Sequence, residues 1–133
     1  MKKFNIYLLV LFLSISALIA KDAKVEIDVY YFHATARCQG CLKIEDYTFS
    51  SINKNYEKEL KNGSIKIQSI DFLEPENEKY QTKYGFDTQA LIISKKVDGR
   101  EVEWKNLDKI WDYSNSFKKY EKYVKKEINK LLK

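Results

Sequence analysis

Two cysteines separated by two residues form the one motif in this chain whose chemistry is evident from residue type alone. Cys38 and Cys41 are the only cysteines among 133 residues. The segment before them is rich in β-branched and aromatic residues and predicts a buried strand, whereas the segment after them predicts an amphipathic helix. A thiolate at a helix N-terminus faces unpaired backbone N–H groups and the positive end of the helix dipole. The sequence therefore predicts that Cys38 ionises readily and exchanges with disulfides.

The neighbours of the motif predict different roles for the two cysteines. Cys41 follows one helical turn after Cys38 and should be less exposed, so we expect it to resolve a mixed disulfide formed at Cys38. Arg37 adds a positive charge beside the first sulfur, and Gln39-Gly40 fills the space between the cysteines. His33, the only histidine, stands at the end of the predicted strand. It is either a proton-transfer group or a surface or packing residue.

The rest of the pattern predicts an α/β chain with about four strands flanked by helices. Apolar spacing, glycine stops and turn residues set the boundaries of these elements. The predicted order is a strand over 25–32, a helix from the motif to Asn62-Gly63, a strand over 64–72, a short helix from Pro75 to Tyr84-Gly85, a hairpin from Ala90 turning at Asp98-Gly99, and a terminal helix from Ile110 to Leu131 that is open to interruption at 114–116.

The N-terminus is typical of a secretory signal. Lys2 and Lys3 precede an apolar run, and residues 1–20 end on a small residue at Ala20. We expect cleavage there, with an uncleaved anchor as the alternative, and a single domain over residues 24–132. The predicted location is therefore periplasmic or otherwise extracytoplasmic, where a cysteine pair is held oxidised or kept reduced by a dedicated donor.

The charge balance excludes a dedicated nucleic-acid binder. Beyond the signal, 22 basic residues face 19 acidic ones, because the signal holds two of the 24 basic residues and none of the acids. Lysines and glutamates also alternate along the predicted helices, as on an ordinary solvated surface. We therefore expect a monomer that contacts other proteins rather than nucleic acid.

The order of elements, with a two-cysteine motif opening the first helix, resembles the thioredoxin fold over the whole predicted domain. Several segments are similar, more narrowly, to the small exported bacterial proteins of the nitrophenyl compound nitroreductase subunit ArsF family. These segments are Tyr30 to Cys41 with Ile44-Glu45, Pro75-Glu76-Asn77, and Thr88-Gln89-Ala90-Leu91. The resemblance implies a role in reducing nitro compounds or handling arsenicals, and a polytopic membrane protein that passes electrons outward as a partner.

The chain departs from ordinary thioredoxins at several positions. Arg37 and Gln39-Gly40 replace the tryptophan and the Gly-Pro pair usual around the cysteines. Phe32 stands where the resemblance places a buried acid, six residues before the first cysteine. The loop that faces the cysteines in the family corresponds to Thr88-Gln89-Ala90, so Gln89 takes the place of a cis-proline. A cis bond before a residue other than proline costs about 2.5–4 kcal/mol, so we expect a trans peptide there.

Three functions remain open at this stage, and we favour the first. A thiol:disulfide oxidoreductase would cycle between the Cys38-Cys41 disulfide and two thiols and would need no metal or other cofactor, only a protein disulfide or dithiol as partner. A copper(I) metallochaperone would use the same two thiolates as ligands, whereas structural zinc would need further ligands beyond these cysteines and His33. A binding module with an inactive motif is the third.

Overall fold

The computed structural model describes residues 21–133, and the predicted signal peptide lies outside the described residues. Short 3₁₀ turns at Pro75–Asn77 and Asp108–Ile110 lie between the main elements. Those elements are β1 (Val25–His33), α1 (Gln39–Asn55), α2 (Glu57–Asn62), β2 (Ile65–Asp71), α3 (Glu78–Tyr84), β3 (Ala90–Val97), β4 (Arg100–Asn106) and α4 (Phe117–Leu131). Within residues 21–133, no helix combines the length and the apolar character needed to cross a bilayer.

The four strands form one mixed sheet in the order β2-β1-β3-β4. β1 runs parallel to β2 and antiparallel to β3, and β4 closes a hairpin with β3. The crossover from β1 to the parallel β2 carries α1 and α2, as a parallel connection requires. A strand-helix-strand unit followed by a hairpin and a final helix is the thioredoxin-like arrangement, so the predicted fold class is confirmed.

Helices cover both faces of the sheet, and β1 is buried between them. Alternate residues of β1 point to opposite faces, as the pleat requires. One face packs against α1 and α4, and the other packs against α3 and the segment that follows it. The first core contains Ile27, Val29, Tyr31, Ile44, Ile52, Leu91, Ile93, Tyr120, Val124 and Ile128, and the second contains Tyr30, Phe32, Phe72, Tyr84, Phe86 and Ile92.

The first predicted helix is divided in two, which the apolar pattern did not indicate. The backbone leaves the helical region at Tyr56 (φ −134°, ψ 32°), between α1 and α2. The ring of Tyr56 is buried, and its hydroxyl lies 2.8 Å from Oδ1 of Asn129 on α4. The turn in the chain thus coincides with a buried contact between Tyr56 and α4. The predicted glycine stop is confirmed, since Gly63 ends α2 with φ 78°.

The prediction that Ile110 lies in the terminal helix was wrong. Ile110 is buried in a 3₁₀ turn, and α4 begins at Phe117 after the predicted interruption. Ser116 is the N-cap, and its hydroxyl accepts a hydrogen bond from the N–H of Lys119 at 3.4 Å. Serine competes for backbone hydrogen bonds inside a helix and favours its N-terminus instead. The connection over 107–116 is therefore a separate segment between β4 and α4.

The predicted hairpin at Asp98-Gly99 is confirmed. Both turn residues have positive φ, 50° at Asp98 and 79° at Gly99. Two positive φ angles in succession are typical of a type I′ turn, whose twist matches that of the flanking strands.

Alanine at Gly99 should lower the free energy of unfolding by about 1–2 kcal/mol, because an L-residue pays this cost in the left-handed region. A Cβ there would meet no atom within 4 Å, so the cost comes from the backbone alone. Gly40→Ala is the matched control, since Gly40 lies in a right-handed helix. Urea denaturation measures both, and equal stabilities of the two variants would contradict the assigned turn.

Candidate active site

Cys38 and Cys41 form a disulfide at the N-terminus of α1, with their Cα atoms 5.1 Å apart. Cys38 is the N-cap residue, and its sulfur accepts a hydrogen bond from the backbone N–H of Cys41 at 3.1 Å. Cys38 is exposed, whereas only 5% of Cys41 is exposed. A partner thiolate that approaches this disulfide therefore reaches the Cys38 sulfur first.

The first turn of α1 contains no acidic residue, unlike those of α2 and α3. Acidic side chains are favourable at a helix N-terminus because they face its partial positive charge. In α1 the sulfur of Cys38 occupies the capping position instead. A thiolate there would receive the stabilisation that a capping carboxylate receives elsewhere.

Tyr31 connects the sheet to the second cysteine. Its side chain is fully buried, and its hydroxyl donates a hydrogen bond to the carbonyl oxygen of Cys41 at 2.8 Å. Burial raises the pKa of Tyr31 to about 12, so the hydroxyl stays protonated and able to donate. This bond fixes the first turn of α1 against β1.

Phe32 does not face the cysteines, although the count of six residues before Cys38 places it where the resemblance to thioredoxins implies a buried acid. Its ring is fully buried in the opposite layer and stacks on Phe86, with 4.6 Å between centroids. Because side chains alternate along a strand, Tyr31 and Phe32 point to opposite faces. The residue of β1 that contacts Cys41 is Tyr31.

Arg37 is held by a polar network rather than left free beside Cys38. Its guanidinium forms a salt bridge with Glu45 of α1 and lies 3.4 Å from Oγ of Ser69 on β2. The hydroxyl of Ser69 in turn donates to Glu45. Only 25% of the Arg37 side chain and 17% of the Glu45 side chain are exposed. The positive charge predicted to act on Cys38 is thus largely neutralised by a carboxylate.

His33 is buried at the end of β1, with 7% of its surface exposed. Nε of Arg37 donates to Nδ1 of His33 at 3.2 Å, and a second guanidinium nitrogen contacts Nε2. Asp71 lies beside His33 in the parallel pairing of β1 with β2. A hydrogen bond from Thr35 lowers the pKa of Asp71, and the nearby His33 and Arg37 lower it further. The histidine is therefore a packed member of the network, in contact with Arg37.

The loop Thr88-Gln89-Ala90 lies at the same edge of the sheet as the cysteine motif. Ala90 pairs with Phe32 near the end of β1, and the motif follows that end of the strand. Thr88 is exposed and donates a hydrogen bond to the side-chain oxygen of Gln89 at 2.8 Å. Every peptide bond within residues 21–133 is trans, as the cost of a cis bond predicted for Gln89.

Sequence reasoning missed two residues that the fold brings to the site. Glu45 had a usable indication, because it follows Cys41 by four residues and side chains at that spacing are neighbours on a helix. Trp111 had none, since it lies in the 107–116 connection, far along the chain from the motif. A methyl group added at Gly40 would lie 3.8 Å from both Sγ of Cys38 and the indole ring of Trp111. The ring thus flanks the disulfide across Gly40.

In the part of the chain that the structure describes, no group of three or more histidine, cysteine, aspartate or glutamate side chains is placed to hold a metal ion.

Comparisons with known proteins give only distant likenesses. No family model matches the chain, and no curated protein does. Among solved structures, a malarial protein is 22% identical, with 76% of this chain and 96% of that chain covered and a TM-score of 0.46. A thioredoxin from Fasciola hepatica is 20% identical, with coverage of 75% and 80% and a TM-score of 0.42. The fold assignment rests on the sheet order described above.

Glu45→Gln should lower the pKa of the Cys38 thiol by up to about one unit, because it removes a carboxylate and leaves the charge of Arg37 uncompensated. Thiolate absorbance near 240 nm, followed against pH in the reduced protein, measures this. Asp46→Asn is the matched control, since Asp46 is the exposed neighbour of Glu45 on α1. An unchanged or raised pKa in Glu45→Gln would show that Arg37 does not act on Cys38.

Proposed function

We propose that this protein is a thiol:disulfide oxidoreductase that works through a mixed disulfide at Cys38. The observation that carries the proposal is the position of the Cys38 sulfur. It is exposed, caps α1, and accepts the N–H of Cys41, whose own sulfur is buried and bonded to it. An exposed sulfur at a helix N-terminus is a good leaving group and a good nucleophile near neutral pH.

In the reducing direction, the Cys38 thiolate attacks one sulfur of a partner disulfide. The partner's S–S bond breaks, its other sulfur leaves as a thiolate, and a mixed disulfide forms at Cys38. Cys41 then loses its proton and attacks the Cys38 sulfur, which releases the second partner thiolate and restores the intramolecular disulfide. The protein dithiol gives up two electrons and the partner disulfide gains them. The oxidising direction reverses each step.

The surroundings of the cysteines support separate duties for the two sulfurs. Tyr31 holds the backbone of Cys41 in place, so the buried sulfur stays within reach of Cys38 throughout the cycle. At the same end of the sheet Thr88 is exposed and Gln89 half-buried, so this loop is available to a docking partner.

Export and electron supply belong to the same proposal. The predicted signal at residues 1–20 would deliver the domain to the periplasm or an equivalent space, where a dithiol needs a dedicated donor or oxidant. A polytopic membrane protein that passes electrons outward is the partner that the resemblance to the ArsF family favours. Membership of that family, and a role with nitro compounds or arsenicals, rest on that resemblance alone.

Serine at Cys38 should abolish disulfide exchange, whereas serine at Cys41 should leave the first attack intact and accumulate the mixed disulfide. The reason is that only Cys38 is exposed to a partner and only Cys41 can resolve the intermediate. Mass spectrometry after incubation of the reduced variants with glutathione disulfide detects the adduct, which should appear in Cys41→Ser and not in Cys38→Ser.

The metal content of the purified protein and its uptake of copper(I) are measured alongside. Stoichiometric copper(I) binding with no adduct in Cys41→Ser would replace the oxidoreductase by a metallochaperone. Normal partner binding and normal function in Cys38→Ser would indicate a module whose cysteines are inactive.

A further inference from the structure

An exposed tryptophan next to the reactive sulfur is a feature that the electron exchange itself does not use. Trp111 is 40% exposed, and its ring and the Cys38 sulfur lie equally close to the site of a Gly40 side chain. Gly40 leaves this space open, because a methyl group there would make ordinary contacts with both neighbours. An edge of the indole therefore lies within reach of a side chain that a partner places next to its cysteine at Cys38.

The position of Trp111 is fixed by the core beneath it. Leu107 and Ile110 are buried, and the N–H of Leu107 donates to the carbonyl of Leu91 on β3 at 2.8 Å. The N–H of Ile110 donates to the carbonyl of Leu107 at 3.3 Å, which closes the 3₁₀ turn immediately before Trp111. The ring thus projects from an anchored turn, and binding a partner costs little ordering of the segment.

Leu42 is a second exposed apolar side chain close to Cys38. Leu42, one helical turn after Cys38, is 42% exposed. Arg37, the charged neighbour, is already paired with Glu45. Exposed tryptophan offers a large apolar area at low conformational cost and is enriched where proteins bind one another.

We propose that Trp111 is the residue that selects the partner, by packing against a bulky apolar side chain adjacent to the partner's reactive cysteine. The proposal rests on the thiol:disulfide exchange proposed above and names its substrate class: polypeptide disulfides flanked by an aromatic or large aliphatic residue. Trp111 contacts the partner during attack by Cys38 and in the mixed disulfide, and takes no part in moving electrons or protons.

The test uses reduced, purified protein and three disulfides. Two are dimers of a short synthetic peptide that carries either phenylalanine or serine before its cysteine, and the third is glutathione disulfide. The rate of peptide thiol release is followed by chromatography and divided by the rate at which free dithiothreitol reduces the same disulfide. Wild type should favour the phenylalanine peptide over the serine peptide by about two- to tenfold, the range expected from one aromatic contact.

Trp111→Ala should lose this preference while its rate with glutathione disulfide stays within about twofold of wild type, and Trp111→Phe should keep most of the preference, since an aromatic ring remains. Trp104→Ala is the matched control. Trp104 is 42% exposed like Trp111, but it packs edge-on against Tyr84 on the other side of the sheet. The preference should be unchanged in Trp104→Ala.

A second measurement checks the placement of the ring. In Trp104→Phe, Trp111 is the only tryptophan left, because the chain has two. A disulfide quenches an indole close to it, so reduction of Cys38–Cys41 should raise the emission of this variant. Unchanged emission would show that the ring does not lie beside the disulfide and would overturn the proposal.

The remaining outcomes separate the two proposals. No preference in wild type, or a preference that survives in Trp111→Ala, overturns the role of Trp111 and leaves the oxidoreductase standing. An equal loss of rate with all three disulfides in Trp111→Ala shows a structural role and also overturns it. If wild type reacts with none of the three, the oxidoreductase fails, and the selection of partners fails with it.

Discussion

The burial of β1 on both faces constrains every residue of the site. β1 pairs with β2 on one side and β3 on the other, and apolar cores lie above and below it. A slip of one residue in its register would exchange the side chains that β1 presents to the two cores and break both sets of contacts, so the end of the strand at His33 is fixed. Only a few residues then separate this end from α1. The strand therefore determines where the sulfur of Cys38 lies. The hydrogen bond from Tyr31 to the carbonyl of Cys41 attaches the start of α1 to the strand.

The positive charge of Arg37 acts less on Cys38 than its position next to Cys38 in the sequence indicates. A free Arg37 would attract a thiolate, but its guanidinium binds Glu45, His33 and Ser69 instead. These partners come from β1, α1 and β2, so the network ties three elements together at the edge of the site. The N-terminus of α1 is left as the main source of positive potential at Cys38. Backbone geometry, more than a neighbouring side chain, tunes the sulfur.

The sequence predicted what depends on local pattern and on chain order. The strand, the motif at a helix start and the Asp98-Gly99 turn follow from periodicity and turn chemistry, whereas the fold class also drew on the resemblance to thioredoxins, and all are confirmed. The break at Tyr56 was missed because the apolar spacing continues across it, and the contact of Tyr56 with Asn129 joins residues far apart in the chain. Trp111 was missed for the same reason. Trp111 comes to lie beside Gly40 only when β3, β4 and the connection after them are packed.

The contact between the Cys41 N–H and the Cys38 sulfur has a consequence for folding as well as for exchange. Folding and reduction form a closed thermodynamic cycle. The difference in folding free energy between the dithiol and disulfide forms therefore equals the free energy by which folding shifts the reduction potential of the cysteine pair. A cap that holds a thiolate better than a disulfide sulfur makes the dithiol form the more stable fold and the disulfide form the stronger oxidant. The melting temperatures of the two forms would then rank the protein as an electron acceptor or an electron donor before any partner is known.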